Sequence, residues 1–321
     1  MFRSSFLLFA LLLSGTSHAS RDNEICKVLD SPCQQMGNML VIGASNDAEA
    51  LLKVMNDAAN EFLGLFGWEP PLTAVVPGGT ISTSMRDQLA ANQVSVQLPW
   101  LSSADKIRLR QSAIRRQVEA QTEGLPDAVR AKALQQAMAA ISSNESNATH
   151  DGALAHELGH LWFMRMVPSS VDGSETGHAY GGFAPDWLDE SFAVLLENSA
   201  LRADRRQLFS ELDSDQVIPL ATFLSMTHPA ANAAKALQAA RPKAPEDSES
   251  QIIILTADEA DEFLAAAGGD RAAHFYAQVQ VFSDFLVETC GGASVYPSIS
   301  TALQSGMSFD EWLAEQGQAF G

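Results

Sequence analysis

One stretch of five residues, His156-Glu157-Leu158-Gly159-His160, has the types and spacing that suit metal chemistry. Residues four apart on a helix leave the same face, so the two imidazoles can occupy two corners of a tetrahedral zinc site. The glutamate lies about 100° further round the helix, where a carboxylate can act as a general base without binding the metal. The pattern predicts a metal site; the alternative is a helix with two surface histidines.

A tetrahedral metal with two histidines and one water needs a third protein ligand. Residues 187–193 (WLDESFA) supply the best candidate, Glu190, in the first turn of a second predicted helix, where the helix dipole favours a carboxylate. An antiparallel helix can bring that turn against the histidine face. Four other residues stay open as rival ligands: Glu175, His178, Asp186 and Asp189.

These two segments resemble a known family. Residues 156–163 (HELGHLWF) and 187–193 (WLDESFA) are similar to the motifs of gluzincin zinc metallopeptidases, the M1-like or peptidase MA family. The gap between the two motifs is longer than in the aminopeptidase relatives. A Gly- and Ser-rich segment, predicted to be a loop, accounts for the excess.

The resemblance implies a site and a fold. One Zn²⁺ per chain would be held by His156, His160 and Glu190, with Glu157 as the general base and acid. The implied fold is α+β and two-lobed, with a small N-terminal α/β lobe, a mostly helical C-terminal lobe and the active site between them. The implied activity is zinc-dependent hydrolysis of peptide bonds in a peptide or protein substrate.

A later helical segment, residues 275–286 (FYAQVQVFSDFL), also resembles the family and supplies Tyr276 as the first candidate to stabilise an oxyanion. Tyr276 as an ordinary half-buried core residue is the competing interpretation, and His274 and His228 are alternative donors. Glu197, seven residues after Glu190, either orients a ligand histidine or lies on the surface.

Two features favour an endopeptidase over an aminopeptidase. No segment resembles the G-x-M-E-N signature with which the exopeptidase relatives bind a free N-terminus. Residues 94–98 (VSVQL) alternate apolar and polar types, as in an edge strand that could pair with an extended peptide. The alternative function is a catalytically silent gluzincin-like protein that binds or scaffolds; the presence of Glu157 favours the enzyme.

Apolar runs and helical periodicity predict the elements around the site. Strands are expected over residues 39–44, 72–76 and 94–98, with a helix over 47–66 that Gly67 ends. Further helices are expected over residues 103–141, from Asp151 to about Pro168, over 185–201 and over 271–289. The predicted domains are a signal peptide (1–19), an N-terminal lobe (20–148) and a helical lobe (149–321) with a mobile insertion (229–250).

The composition and the N-terminal sequence limit the partners and the cellular location that can be expected. A formal charge of −19 argues against nucleic acid and anionic membranes as partners, and no stable membrane insertion is expected after signal removal. A short apolar run and a small-residue cleavage site at Ala19 predict export, to the periplasm or outside the cell. Cys26 and Cys33 form either a disulfide or two free thiols, and Cys290 is expected to be a buried thiol.

Overall fold

The computed structural model describes residues 24–139, 147–167, 183–229 and 271–319, which form an α+β fold of many helices and one small sheet. The α+β class predicted from the sequence is confirmed. The predicted signal peptide and nearly all of the predicted insertion at 229–250 lie outside the described residues. The helices are α1 (Glu24–Val28), α2 (Ala48–Phe66), α3 (Thr83–Ala91), α4 (Ser103–Gln121), α5 (Asp127–Ala139), α6 (Asn147–Met166), α7 (Asp186–Leu196), α8 (Ser199–Glu211), α9 (Leu220–Ser225), α10 (Arg271–Thr289), α11 (Val295–Gln304) and α12 (Phe309–Ala319).

Four strands form one sheet in the order β1-β2-β3-β4. The strands are β1 (Cys33–Met36), β2 (Met39–Ile42), β3 (Thr73–Pro77) and β4 (Val96–Trp100). Strand β1 pairs antiparallel with β2, whereas β2 with β3 and β3 with β4 pair in parallel. Strand β2 is buried along its whole length, as expected for a strand covered on both faces. Within the described residues, β4 lies at one edge of the sheet.

Two predicted helices are broken in the structure. The helix expected over residues 103–141 is interrupted between α4 and α5, where Gly124 adopts φ +79° and Pro126 follows. A left-handed glycine ends a helix, and a proline disfavours helical geometry in the residue before it. The helix expected over 185–201 stops at Leu196, because Asn198 caps a new helix by accepting a hydrogen bond from the Leu201 N–H at 3.0 Å.

Other element bounds differ by smaller amounts. The predicted strand at 94–98 starts and ends two residues later, as β4. Asp151 is not an N-cap, since α6 begins at Asn147. Gly67 ends α2 as expected, with φ +75° and its N–H bonded to the Leu63 carbonyl. The short elements α1, β1, α3 and α11 were not predicted, because segments of four to ten residues are too short to show a clear helical or strand period.

The larger of two clusters of buried side chains in the described residues runs from the sheet into the helices. It joins Met39 of β2 and Val75 of β3 to Leu158 of α6, Trp187 of α7 and Trp312 of α12. Trp162 of α6 also connects the helices to the sheet, because its indole N–H donates a hydrogen bond to the Thr73 hydroxyl of β3 at 2.9 Å. Helix α6 is therefore held between the sheet and α7. The boundary near residue 148 stays a prediction.

Helix α7 is the centre of the fold, and all eleven of its residues are buried. A helix that is enclosed on every side belongs in a core, and seven of the eleven residues of α7 are apolar. Its closest neighbour is α6. A Cβ atom built on Gly159 would lie 2.8 Å from the Ala193 Cα, so only glycine allows the two backbones this approach. The small residues Gly159 and Ala193 thus set the separation of the two helices that carry the predicted ligands.

A disulfide joins Cys26 and Cys33, so the predicted pair is bonded, and Cys290 is a buried free thiol. The bond ties α1 to the start of β1, at the edge of the sheet opposite β4. None of the helices in the described part of the chain is long and apolar enough to span a membrane.

The contact at Gly159 yields a stability prediction. Gly159→Ala should lower the free energy of unfolding by about 1–3 kcal/mol, because the added methyl group forces α6 away from the backbone of α7. Urea unfolding followed by circular dichroism measures the change. The matched control is Gly64→Ala in α2, where an added Cβ meets nothing within 4 Å. There the higher helix propensity of alanine should stabilise the fold by up to about 1 kcal/mol. Equal effects at both sites would contradict the proposed close contact.

Candidate metal centre

Helices α6 and α7 bring three predicted residues to one point. His156, His160 and Glu190 are all buried, and each offers one ligand atom that lies within 4.8 Å of the other two. The helical spacing places both imidazoles on the α6 face that packs on α7, and Glu190 meets them from the first half of α7. This group could bind a metal ion.

The distances among the three atoms suit a small cation. The two Nε2 atoms of His156 and His160 are 3.0 Å apart. Oxygen Oε2 of Glu190 lies 3.1 Å from Nε2 of His156 and 3.8 Å from Nε2 of His160. Two ligands that bind at ~2.0–2.1 Å at a tetrahedral angle are ~3.3 Å apart, so the observed separations bracket that value.

The other nitrogen of each imidazole faces a carboxylate. Nδ1 of His156 lies 2.8 Å from Oε1 of Glu197, and Nδ1 of His160 lies 3.0 Å from Oδ1 of Asp189. An ionised carboxylate only accepts hydrogen bonds, so each Nδ1 carries the proton and each Nε2 of a neutral ring presents a lone pair. Two lone pairs and a carboxylate oxygen then converge on one buried point. A metal ion at this point would satisfy all three atoms, so the residues fit a bound metal.

Without metal, protons supply that positive charge. Burial alone would lower the pKa of His156, but hydrogen bonds and the negative charges of Glu190 and Glu197 outweigh burial and raise it to about 10. Burial alone would raise the pKa of Glu190, but the hydrogen bond with His156 and the nearby histidine charges lower it to about 2. The pKa of His160 is also raised, because the charge of Asp189 and its hydrogen bond outweigh burial. Metal binding near neutral pH therefore displaces protons.

An arginine supports the outer side of the site. Arg205 of α8 forms a two-pronged ion pair with Glu197, whose side chain is fully buried, and its Nε lies 2.8 Å from Oε2. The guanidinium carbon also lies 4.4 Å from the centre of the Tyr276 ring. Arg205 thus links the carboxylate behind His156 to the aromatic ring beside it. No motif or spacing in the sequence indicates a role for Arg205.

Tyr276 and His228 lie together on the other side of Glu190. The Tyr276 hydroxyl is 2.9 Å from Nε2 of His228, which is 3.5 Å from Oε1 of Glu190. The Tyr276 ring is 5.8 Å from the His156 ring, measured between centres. The backbone N–H of His228 donates to Asp186 at 2.7 Å. Two of the three residues considered as oxyanion donors, Tyr276 and His228, are therefore next to the ligand group.

These contacts also bear on the rival ligands. Asp189 contacts Nδ1 of His160, and Asp186 accepts a backbone hydrogen bond, so neither joins the converging set. Glu175 and His178 lie outside the described residues. His274 is half-buried in α10, about 200° around the helix from Tyr276. Glu197 lies just beyond the end of α7, is buried and faces His156, so the alternative of a surface residue is wrong.

Glu157 lies on a different face of α6 from the histidines. It is half-buried, and within the described residues its carboxylate has no hydrogen bond or ion pair. Leu161 and Met164, four and seven residues later, share its helix face. Glu157 thus follows a candidate ligand directly, about 100° further round the helix, and is not a member of the converging group.

Comparisons of the chain with protein-family models, with curated proteins and with solved structures found no match. A function must therefore be argued from the arrangement of the residues.

The role of Arg205 can be tested by comparison with its neighbour Arg206, which forms a similar two-pronged ion pair with Asp284 of α10 but is half-exposed. Arg205→Gln should lower the unfolding free energy of the metal-free protein by about 2–4 kcal/mol, because it removes the guanidinium from the buried Glu197 and leaves His156 to balance that carboxylate and Glu190 together. Arg206→Gln should cost less than about 1 kcal/mol. Urea unfolding of both variants measures the difference, and equal losses would rule out the supporting role.

The raised pKa of His156 predicts how metal affinity depends on pH. A group with a pKa of about 10 is protonated at neutral pH, and the metal can use its Nε2 only after the proton has left. Apparent affinity should rise about tenfold per pH unit between pH 6.5 and 8.5, with at least one proton released per metal bound. Competition with a chelating dye measures the affinity, and calorimetry in two buffers of different ionisation enthalpy counts the protons. Affinity independent of pH would show that His156 is neutral in the metal-free protein.

Proposed function

We propose that this protein is a zinc-dependent peptidase of the gluzincin type, in which His156, His160 and Glu190 hold one Zn²⁺. The observation that carries the proposal is the convergence of two imidazole lone pairs and one carboxylate oxygen at a buried point. The resemblance of residues 156–163 and 187–193 to gluzincin motifs supports it. The two-lobed gluzincin arrangement is part of the same proposal.

Zinc is the metal that the donor set favours. Two nitrogens and one oxygen suit Zn²⁺, whereas Ca²⁺ and Mg²⁺ prefer sites built only from oxygen atoms. Three protein ligands leave one position for water or substrate, which distinguishes catalytic zinc sites from structural sites with four protein ligands. When bound, zinc would supply a Lewis acid and lower the pKa of a water molecule in that position.

Glu157 is proposed as the group that moves the proton. Its carboxylate would take a proton from the attacking water and then give that proton to the leaving amine, so that the enzyme ends unchanged. A general base needs a carboxylate that is not already bound to a cation. Glu157 meets this need in the described structure, because it lies outside the converging group and has no ion pair there.

Tyr276 is proposed to stabilise the oxyanion that develops during peptide hydrolysis, with His228 as its partner. The tyrosine hydroxyl can donate a hydrogen bond to a developing negative charge. Burial lowers the pKa of His228, so that its ring is neutral at pH 7 and can exchange a hydrogen bond with the hydroxyl. Packing of Arg205 on the Tyr276 ring would hold the side chain in place.

The substrate is proposed to be a peptide or protein bound in an extended form. Strand β4 lies at an edge of the sheet in the described residues and contacts α6, so an extended segment could add to the sheet beside Glu157. Such binding does not require a free N-terminus and favours internal cleavage. Export is proposed from the N-terminal sequence, and the Cys26–Cys33 disulfide supports an oxidising compartment.

Two glutamate variants test the proposal together. Glu157→Gln should keep one zinc per chain and the fold, but reduce peptide hydrolysis by on the order of 10²–10⁴, the usual range for loss of a general acid–base group. Glu190→Gln should lose both zinc and activity, because it removes one of three protein ligands. Zinc is measured by atomic emission after dialysis, and hydrolysis with a mixture of fluorescent peptides.

Glu119→Gln is the matched control, since Glu119 is exposed on α4 and should affect neither zinc content nor activity. Zinc binding without hydrolysis in the unmodified protein would favour the catalytically silent binding protein. Full hydrolysis by Glu157→Gln would remove Glu157 from the mechanism.

A further inference from the structure

A cavity of about 590 Å³ lies between strand β4 and helix α6. Its apolar part includes Leu161 and Met164 of α6, and its polar part comes from side chains near the sheet edge. The polar lining residues are Arg86, Ser95, Gln97 and Arg165. The cavity contains none of the proposed metal ligands, so it is a separate feature of the molecule.

The cavity continues the helix face that carries Glu157. Leu161 and Met164 follow Glu157 by four and seven residues, which is the spacing of side chains on one face of a helix. Arg165 follows Glu157 by eight residues, or ~12 Å along the helix axis at ~1.5 Å per residue. A chain that extends from Glu157 along α6 would therefore enter this cavity.

The charge of the cavity differs from that of the whole chain. The chain has 39 acidic and 20 basic residues, yet the described lining contains two arginines and neither Asp nor Glu. Arg165 donates from Nη2 to the Ser95 carbonyl at 2.6 Å. A neutral carbonyl fixes the guanidinium against the sheet edge without neutralising its charge, and the remaining N–H groups of the guanidinium can bind an anion.

We propose that this cavity is a substrate subsite that selects an acidic side chain, and that Arg165 is the residue that binds it. The inference rests on the proposed peptidase function. An extended peptide advances ~3.3 Å per residue, so ~12 Å corresponds to about three or four residues. The preferred Asp or Glu should therefore lie two to four residues from the cleaved bond, once the length of the arginine side chain is allowed for.

Cleavage of a random peptide mixture tests the preference. Zinc-loaded protein is incubated with the mixture, and cut sites are identified by mass spectrometry. Asp and Glu should be enriched roughly threefold to tenfold over Asn and Gln at one position within four residues of the cut, as expected for a partly exposed ion pair. Arg165→Gln should abolish this enrichment, and Arg165→Lys should keep part of it.

Preferences are compared within each variant, so a loss of stability cannot imitate a loss of selectivity. Arg108→Gln is the control, since Arg108 is an exposed arginine of α4 paired with Asp105 and does not line the cavity. This variant should keep the acidic preference. Arg165→Glu should reverse the preference toward Lys and Arg. Cleavage with no acidic enrichment, or enrichment that survives in Arg165→Gln, would overturn the subsite and leave the peptidase function intact.

A binding measurement separates failure of the subsite from failure of the proposed function. Fluorescein-labelled peptides that differ only by Glu or Gln are titrated against the wild type and Arg165→Gln and followed by anisotropy. If the wild type cuts no peptide but binds the Glu peptide more tightly in an Arg165-dependent way, the subsite stands and the peptidase proposal fails. Equal binding of both peptides by the wild type would overturn the subsite.

Discussion

Two imidazole nitrogens that face each other 3.0 Å apart, with a carboxylate oxygen beside them, form the contact on which the rest of the structure depends. The other nitrogen of each ring faces a carboxylate. If both rings are neutral and protonated on that nitrogen, their two Nε2 lone pairs face each other at a buried point. Burying unpaired polar groups is costly, and water cannot readily compensate for it here. The folded chain therefore needs a cation between α6 and α7, and either protons or a metal ion can provide it.

The charges around that point agree with a divalent ion. Asp189, Glu190 and Glu197 contact the two histidines and carry three negative charges when ionised. Arg205 contributes one positive charge, and a divalent cation would contribute the remaining two. In the metal-free protein the raised pKa values of both histidines provide positive charge instead. The same balance links metal binding to the stability of the helix pair, because protons and metal compete for the same atoms.

Different faces of helix α6 make different contacts, and the geometry of the site depends on all of them. The Gly159 face packs against the backbone of α7, which brings Glu190 within reach of the histidines. Trp162 is fixed to β3 by its hydrogen bond with Thr73, so the helix cannot easily turn about its axis. Leu161 and Met164, four and seven residues after Glu157, then line the cavity beside β4. One rigid helix thus holds the metal ligands and the proposed base at fixed angles to each other.

The sequence predicted those parts of the site that local spacing determines. The relation of His156 to His160 is fixed by the helix period. Glu190 was predicted in the first turn of its helix but lies just after that turn, because α7 begins at Asp186. The role of Arg205 could not be predicted, because its ion pair with Glu197 depends on where α8 turns back after α7. The predicted helix over 185–201 was wrong for a related reason: its apolar periodicity continues past Leu196, while the capping hydrogen bond of Asn198 favours a new helix.

The break between α7 and α8 determines where Glu197 and Arg205 lie. In a continuous helix, Glu197 would lie seven residues after Glu190 on the same face, and the next helix would not fold back over it. In the structure, Glu197 is extended at φ −61° and ψ 151°, its carboxylate meets His156, and α8 returns with Arg205 to bind the same carboxylate. The break between α7 and α8, which the apolar periodicity does not show, therefore places the Glu197 carboxylate between His156 and Arg205. Local sequence specifies the ligands here, whereas the tertiary fold specifies the groups that orient them.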